Sequence, residues 1–201
     1  MIIKMLFTFL IGCCFGSFIN VIIYRLPLRE SIIFPSSHCI KCNYKIKWYE
    51  NIPIMSWIFL KGRCSKCNIK ISLMYPSIEL ITGFLFVLNN YSLNLRWSIG
   101  SQFLTIVCGW IFISILLVMA ILDIKYFWLP DVISKFGILS SIFLSFFFKI
   151  RYENLVSEFF VIETLLAAFS GYLIFKLISL IGFKIYKKPA MGKGDAKLAA
   201  L

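Results

Sequence analysis

The sequence predicts an all-α polytopic membrane protein, a helical bundle with one small polar insertion between helices 1 and 2. Three observations carry that expectation. Of 201 residues, 60% are apolar and 15% charged, with a mean hydropathy of +0.88; ordinary soluble domains run at about 45–50% and about 25%. Uncharged apolar runs of spanning length recur along the chain. Between Arg25 and Pro76 the apolar pattern is broken by a basic, turn-rich stretch that holds four of the seven cysteines. A soluble globular enzyme, a disordered chain and a disulfide scaffold are all excluded by this balance.

The first span is expected at Met5–Tyr24. It is uncharged and has the roughly 20 apolar residues that a crossing needs. No small-x-small cleavage site precedes Arg25, so the run reads as a retained helix rather than a signal peptide. Residues 1–24 therefore form a first helix, 25–76 an insertion and 77–201 a membrane domain. Further spans are expected at Tyr75–Asn90, with Glu79 near its start, and at Trp97–Leu122. Two more are expected at Val132–Phe148 and at Phe159–Tyr186, where Glu163 and Lys176 can snorkel towards opposite ends. Ala196–Leu201 reads as the opening of a sixth. No internal repeat and no low-complexity tract is evident.

Five crossings sort the connecting segments into two sides, with fifteen cations on one and four on the other. By the positive-inside rule the insertion is cytoplasmic and the N-terminus outside. The net charge of +12 is thus a topology signal that also favours contact with anionic membrane lipids. No basic helix is laid out for phosphates, so nucleic acid is not an expected partner.

Cys39-Ile-Lys-Cys42 and Cys64-Ser-Lys-Cys67 are two C-x-x-C pairs separated by 21 residues. Tight turns can aim two thiolates from each pair at one ion, and Zn²⁺ takes four thiolates tetrahedrally. Asn43 and Asn68 follow the pairs and suit such turns. The other readings are four unrelated thiols or two disulfides, and a reducing cytoplasm disfavours the latter. A closed four-sulfur site has no open coordination position, so the zinc expected here is structural. Cys13, Cys14 and Cys108 lie in apolar spans and read as small buried hydrophobes. His38, the sole histidine, reads as a surface residue beside Cys39.

The chain has three aspartates, Asp123, Asp131 and Asp195. Asp131 after Pro130 reads as a helix start. Asp123 closes the long third span, and Asp195 follows Met191-Gly192-Lys193-Gly194, where two glycines permit a tight turn and close backbone approach. Charge counting puts both at the cytoplasmic membrane boundary. They read either as interfacial anchors and caps or as a functional pair. Two carboxylates brought together share a proton near neutral pH, so the charged member can polarise water while the neutral one protonates a leaving amine.

Five motifs in order resemble those of the prepilin peptidases, the type IV leader peptidase family of G-x-G-D membrane aspartyl proteases. They are Gly16-Ser17-Phe18-Ile19-Asn20-Val21 with Arg25-Leu26-Pro27; Trp48-Tyr49-Glu50-Asn51-Ile52-Pro53 with Ser56-Trp57; Tyr75-Pro76-Ser77-Ile78-Glu79; Asp123 through Leu129-Pro130-Asp131; and Gly192-x-Gly194-Asp195-x-Lys197-Leu198. The resemblance implies a protease of the bacterial inner membrane with Asp123 and Asp195 as its catalytic pair, supported by Gly192, Gly194, Lys197, Pro130 and Asp131. It implies prepilin or pseudopilin substrates, cut at the cytoplasmic face after a short basic leader. Many members also methylate the new N-terminus with S-adenosylmethionine, an activity tied to the N-terminal half, where Gly16, Ser17, Asn20, Arg25 and Glu79 stand. Two departures are visible. Met74 occupies the place of a common arginine, and the sequence stops six residues after Asp195 where the family continues, so a truncated membrane domain is expected. The competing reading is an inactive relative serving as a zinc-stapled membrane scaffold, separated from the first by whether both aspartates are needed for cleavage. An ion-coupled transporter would place its carboxylates at mid-membrane.

Overall fold

A computed structural model describes residues 2–94, 102–127 and 130–151, and residues 162–177 except 164, 172 and 175. The described residues are mostly helical and hold no named strand. The helices are α1 (Ile2–Arg25), α2 (Met55–Phe59), α3 (Met74–Asn94), α4 (Gln102–Tyr126) and α5 (Asp131–Arg151), with a 3-10 turn at Trp48–Asn51. Further helical residues occur within 162–177. Ile2–Arg25 and Leu104–Tyr126 are long and apolar enough to cross a membrane. Among the described residues, two of the expected crossings therefore meet both criteria. The run at 75–90 proves to be a 21-residue helix, while much of the expected fifth span lies outside the described residues.

The chain forms two compact units, residues 1–121 and 122–201. In the first, α1 and α3 lie antiparallel in close register. A Cβ added to Gly12 would stand 2.6 Å from Gly83 Cα, and one added to Gly16 would stand 2.6 Å from Glu79 Cα. One turn further on, the Asn20 amide donates to the Tyr75 carbonyl at 3.1 Å; towards the other end, Asn90 donates to the Thr8 hydroxyl at 3.0 Å. In lipid there is no hydrophobic drive to bring helices together, so close packing of small residues and interhelical hydrogen bonds must do it. Gly12-x-x-x-Gly16 is the small-residue pair that permits this approach. Phe86 of α3, fully buried, stacks on Trp110 of α4 at 5.1 Å and meets Phe15 of α1 at 5.3 Å. Asn89 rests against Gly109 and donates to the Ile106 carbonyl at 3.2 Å.

This seam gives a direct prediction. Gly12→Val drives a branched side chain into the α3 backbone, which cannot yield as a flexible side chain would, and should destabilise the unit by about 1–3 kcal/mol. A thermal melt in detergent checks this; an unchanged midpoint would contradict the packing described.

In the second unit, α4 continues past its expected end at Leu122 to Tyr126 and is closed by Phe127, whose N–H donates to the Asp123 carbonyl at 2.8 Å. Helix α5 begins at Asp131, directly after buried Pro130, as the Pro-Asp pair suggests.

Candidate metal centre and active-site residues

Each C-x-x-C pair folds into the same knuckle. The Cys39 N–H donates to the Tyr44 carbonyl at 2.9 Å, and the Asn43 N–H returns to the Cys39 carbonyl at 2.9 Å. Twenty-five residues on (39 to 64) the pattern repeats: Cys64 N–H to Ile69 carbonyl and Asn68 N–H to Cys64 carbonyl, both at 3.0 Å. Each knuckle is closed by an isolated antiparallel bridge, His38 with Lys45 and Arg63 with Lys70. Asn43 and Asn68 take φ of +52° and +56°, the left-handed region that asparagine tolerates better than most residues. The chain thus does contain a repeat, C-x-K-C-N-x-K-I at residues 39–46 and 64–71. It escaped the sequence reading because the intervening residues share nothing.

The four Sγ atoms lie within 4.8 Å of one another, and Cys39 Sγ to Cys67 Sγ is 3.7 Å. Zinc–sulfur bonds of about 2.3 Å in a tetrahedron put sulfurs about 3.8 Å apart, so the donor set and its spacing fit a four-thiolate ion. All seven cysteines are free thiols, with no disulfide. The Cys42 backbone N–H, the strongest influence on Cys39, helps lower its thiol to about 6. Against the Ile69 N–H, which favours the thiolate, burial and the three neighbouring sulfurs push Cys67 up to about 11. His38 stands outside the cluster, its Nδ1 paired with the Ser36 carbonyl at 3.0 Å.

The 17 residues between the knuckles' closing bridges (46–62) are held by a few specific contacts. Gly62, at φ +65°, lies under the Trp57 ring, where a Cβ would come within 2.7 Å of it; the Trp57 indole donates to the Ile71 carbonyl at 3.2 Å. The Glu50 carboxylate accepts the Lys47 N–H at 3.0 Å. That bond is the chief cause holding its carboxyl below the usual range, with Ser65 and Tyr44 adding further hydrogen bonds. Glu50 thereby ties one knuckle to the other.

Beside the knuckles, four of the five residues tied by resemblance to methylation come together. Gly16 abuts Glu79, Ser17 hydrogen-bonds its carboxylate, and Asn20 holds Tyr75 one turn away. Arg25 is buried but donates to the Ser31 carbonyl at 3.0 Å instead. The partner that sequence reasoning missed is Ile54. Its N–H donates to Glu79 Oε2 at 2.7 Å, at φ +64° and ψ −53°, with the Met55 N–H reaching back to the Pro53 carbonyl at 2.6 Å. This is a γ-turn of the strained hand, costly for a β-branched residue. A buried carboxylate thus clasps the insertion to the helix pair. No local sequence signal marks a γ-turn centred on isoleucine; only Pro53 hints at a bend.

Glu79→Ala leaves the Ile54 N–H without its partner and should cost about 1–3 kcal/mol, whereas Glu79→Gln, which keeps an acceptor, should retain most of the stability. Hydrogen exchange at residues 54–57 distinguishes them. Equal protection in both variants would remove the clasp from the account.

Of the expected catalytic residues, Asp123 stands exposed in the last turn of α4. Asp131 opens α5. Asp195, Gly192, Gly194 and Lys197 lie outside the described residues, so the pairing of Asp123 with Asp195 rests on sequence.

Family models place this arrangement among known proteins. One described as "Bacterial Peptidase A24 N-terminal domain" matches residues 10–93, and one described as "Type IV leader peptidase family" matches residues 110–201. A prepilin leader peptidase/N-methyltransferase of Myxococcus xanthus (strain DK1622) is 35% identical over 195 residues, covering 97% of this chain and 54% of that protein. The chain therefore spans about half that relative's length. Proteins of the same description from Klebsiella pneumoniae and Bacillus subtilis (strain 168) are 35% and 34% identical, over 96% of this chain in each case and 81% and 70% of their own lengths. No solved structure matches.

Proposed function

The chain belongs to the type IV leader peptidase family, and from that membership we propose that it is a membrane aspartyl endopeptidase that removes the leader from prepilins or pseudopilins. The observation that carries the reading is identity of 35% over nearly the whole chain to proteins described as prepilin leader peptidase/N-methyltransferase. Both family models also take in the motifs quoted from the sequence.

In this reading Asp123 and Asp195 share one proton. The ionised carboxylate takes a proton from water as it attacks the scissile carbonyl, and the protonated one gives its proton to the leaving nitrogen as the C–N bond breaks. Gly192 and Gly194 keep the backbone beside Asp195 clear for an extended peptide, with Lys197, Pro130 and Asp131 supporting the site. The charge asymmetry supports an N-terminus outside the bacterial inner membrane, with the knuckles and both aspartates on the cytoplasmic side. Cys39, Cys42, Cys64 and Cys67 would hold a zinc ion whose role is structural, since a four-thiolate donor set leaves no open position for substrate. S-adenosylmethionine, as a second cofactor, would supply a methyl group to the new N-terminal amine. The cluster of Gly16, Ser17, Asn20 and Glu79 is the region assigned to that step, with Arg25 bracing the adjoining end of α1.

Membranes carrying this chain, incubated with a prepilin, should yield a product lacking the leader by mass spectrometry. Adding the methyl donor should increase the product mass by one methyl group. Intact prepilin after prolonged incubation, beside an active relative, would overturn the reading; cleavage without methylation would remove only its second half.

A further inference from the structure

The insertion exposes a surface that neither the metal centre nor the helix pair uses. Its 3-10 turn and α2 pack together and leave Trp48 81% exposed, Ile58 58% and Phe59 76%. Just before the first knuckle, Ile33 and Phe34 are 76% and 75% exposed. Large apolar groups uncovered to this degree in one short segment mark an interaction surface rather than ordinary scatter. The charge of the segment is just as one-sided. Residues 25–76 hold nine cations and two acids, and every cation but Arg25 is exposed. The knuckle repeat presents lysines at equivalent turn positions, Lys41 with Lys66 and Lys45 with Lys70.

Because α1 and α3 are antiparallel and Asn20 meets Tyr75, the segment leaves α1 and rejoins α3 at the same end of the pair. It is tethered beside the headgroups at both ends. We propose that the insertion docks on an anionic lipid headgroup layer, with its exposed aromatic and aliphatic side chains entering the interface and its knuckle lysines pairing with lipid phosphates. Aromatic side chains settle at headgroup depth, and basic residues beside a membrane are drawn to anionic leaflets. Aliphatic groups such as Ile33 and Ile58 gain from the acyl boundary and have no counterpart in a nucleic acid, where flat rings stack on bases.

The test is hydrogen exchange on the full chain in lipid nanodiscs, either neutral phosphatidylcholine or a mixture rich in phosphatidylglycerol. Peptides covering 31–36 and 47–60 should exchange at least about fivefold more slowly in the anionic discs, and high salt should reverse much of the difference, as screening requires. A variant carrying K41Q, K45Q, K66Q and K70Q should lose the difference while keeping its metal content and the protection of 75–90, which shows that it has folded. Equal exchange in the two discs would overturn the proposal. So would protection retained in full by the quadruple variant, or an oligonucleotide protecting the same peptides in neutral discs.

Discussion

Asp123→Asn and Asp195→Asn should each reduce leader cleavage by at least about a thousandfold, the scale of a lost general acid or base. Asparagine keeps the size and hydrogen bonding of the carboxyl but cannot carry a proton through the cycle. Because the two groups act as a unit, the double variant should be barely worse than either single one. The parent enzyme should show a bell-shaped pH dependence belonging to the pair rather than to either residue. Initial rates of prepilin cleavage in membranes, with equal amounts of folded chain, are the measurement. A single variant cutting at the parent rate would remove the dyad. Asp131→Asn serves as the contrast: at the start of α5, it has only a supporting role in the proposed mechanism and transfers no proton, so its loss of rate should be much smaller.

The second large effect is expected at the cysteines. Cys64→Ser should lower bound zinc from one per chain to a small fraction and abolish the hydrogen-exchange protection of residues 38–46 and 63–71. Structural zinc contributes on the order of 10 kcal/mol to the folding of small metal-dependent units, and the insertion has few buried apolar side chains to replace it. Strong chelation of the parent chain should give the same loss. The pH dependence has a defined sign. Zinc needs all four thiolates, so binding releases protons and weakens as pH falls. At neutral pH Cys39, lowered to about 6, is largely ionised already, while Cys67, raised to about 11, must give up its proton. Zinc uptake at pH 7 in weak buffer should therefore acidify the solution. Full exchange protection in a zinc-free Cys64→Ser chain would show that the staple is unnecessary.

Helices α1 and α4 were legible because their uncharged runs admit no other structure. The four-cysteine cluster was legible for a different reason: four cysteines at knuckle spacing, each pair followed by an asparagine, specify both the donors and the backbone turn that presents them. The α1–α3 seam was only half legible. Gly12-x-x-x-Gly16 is a known close-packing signature, but it names no partner, and Gly16 drew notice as part of a longer motif. Least legible was the Glu79–Ile54 clasp. It joins residues 25 apart through a strained backbone that intrinsic preference would argue against, so tertiary structure alone maintains it. Asp195 is legible only as sequence.

The duplicated knuckle means that the four-sulfur site consists of two half-clamps, each supplying two sulfurs and one left-handed asparagine. Neither half fills a tetrahedron alone. Besides the Glu50 contacts, the 21-residue tether between Cys42 and Cys64 unites them, setting an effective concentration for the second half on the millimolar scale typical of short linkers. The sulfurs would supply the bonds to an ion, while the unbroken chain would spare them the entropic cost of bringing two separate halves together. One protease nick between Trp48 and Phe59 would leave every metal ligand in place while removing that tether. An ion held there would then be shared by two fragments that only non-covalent contacts join.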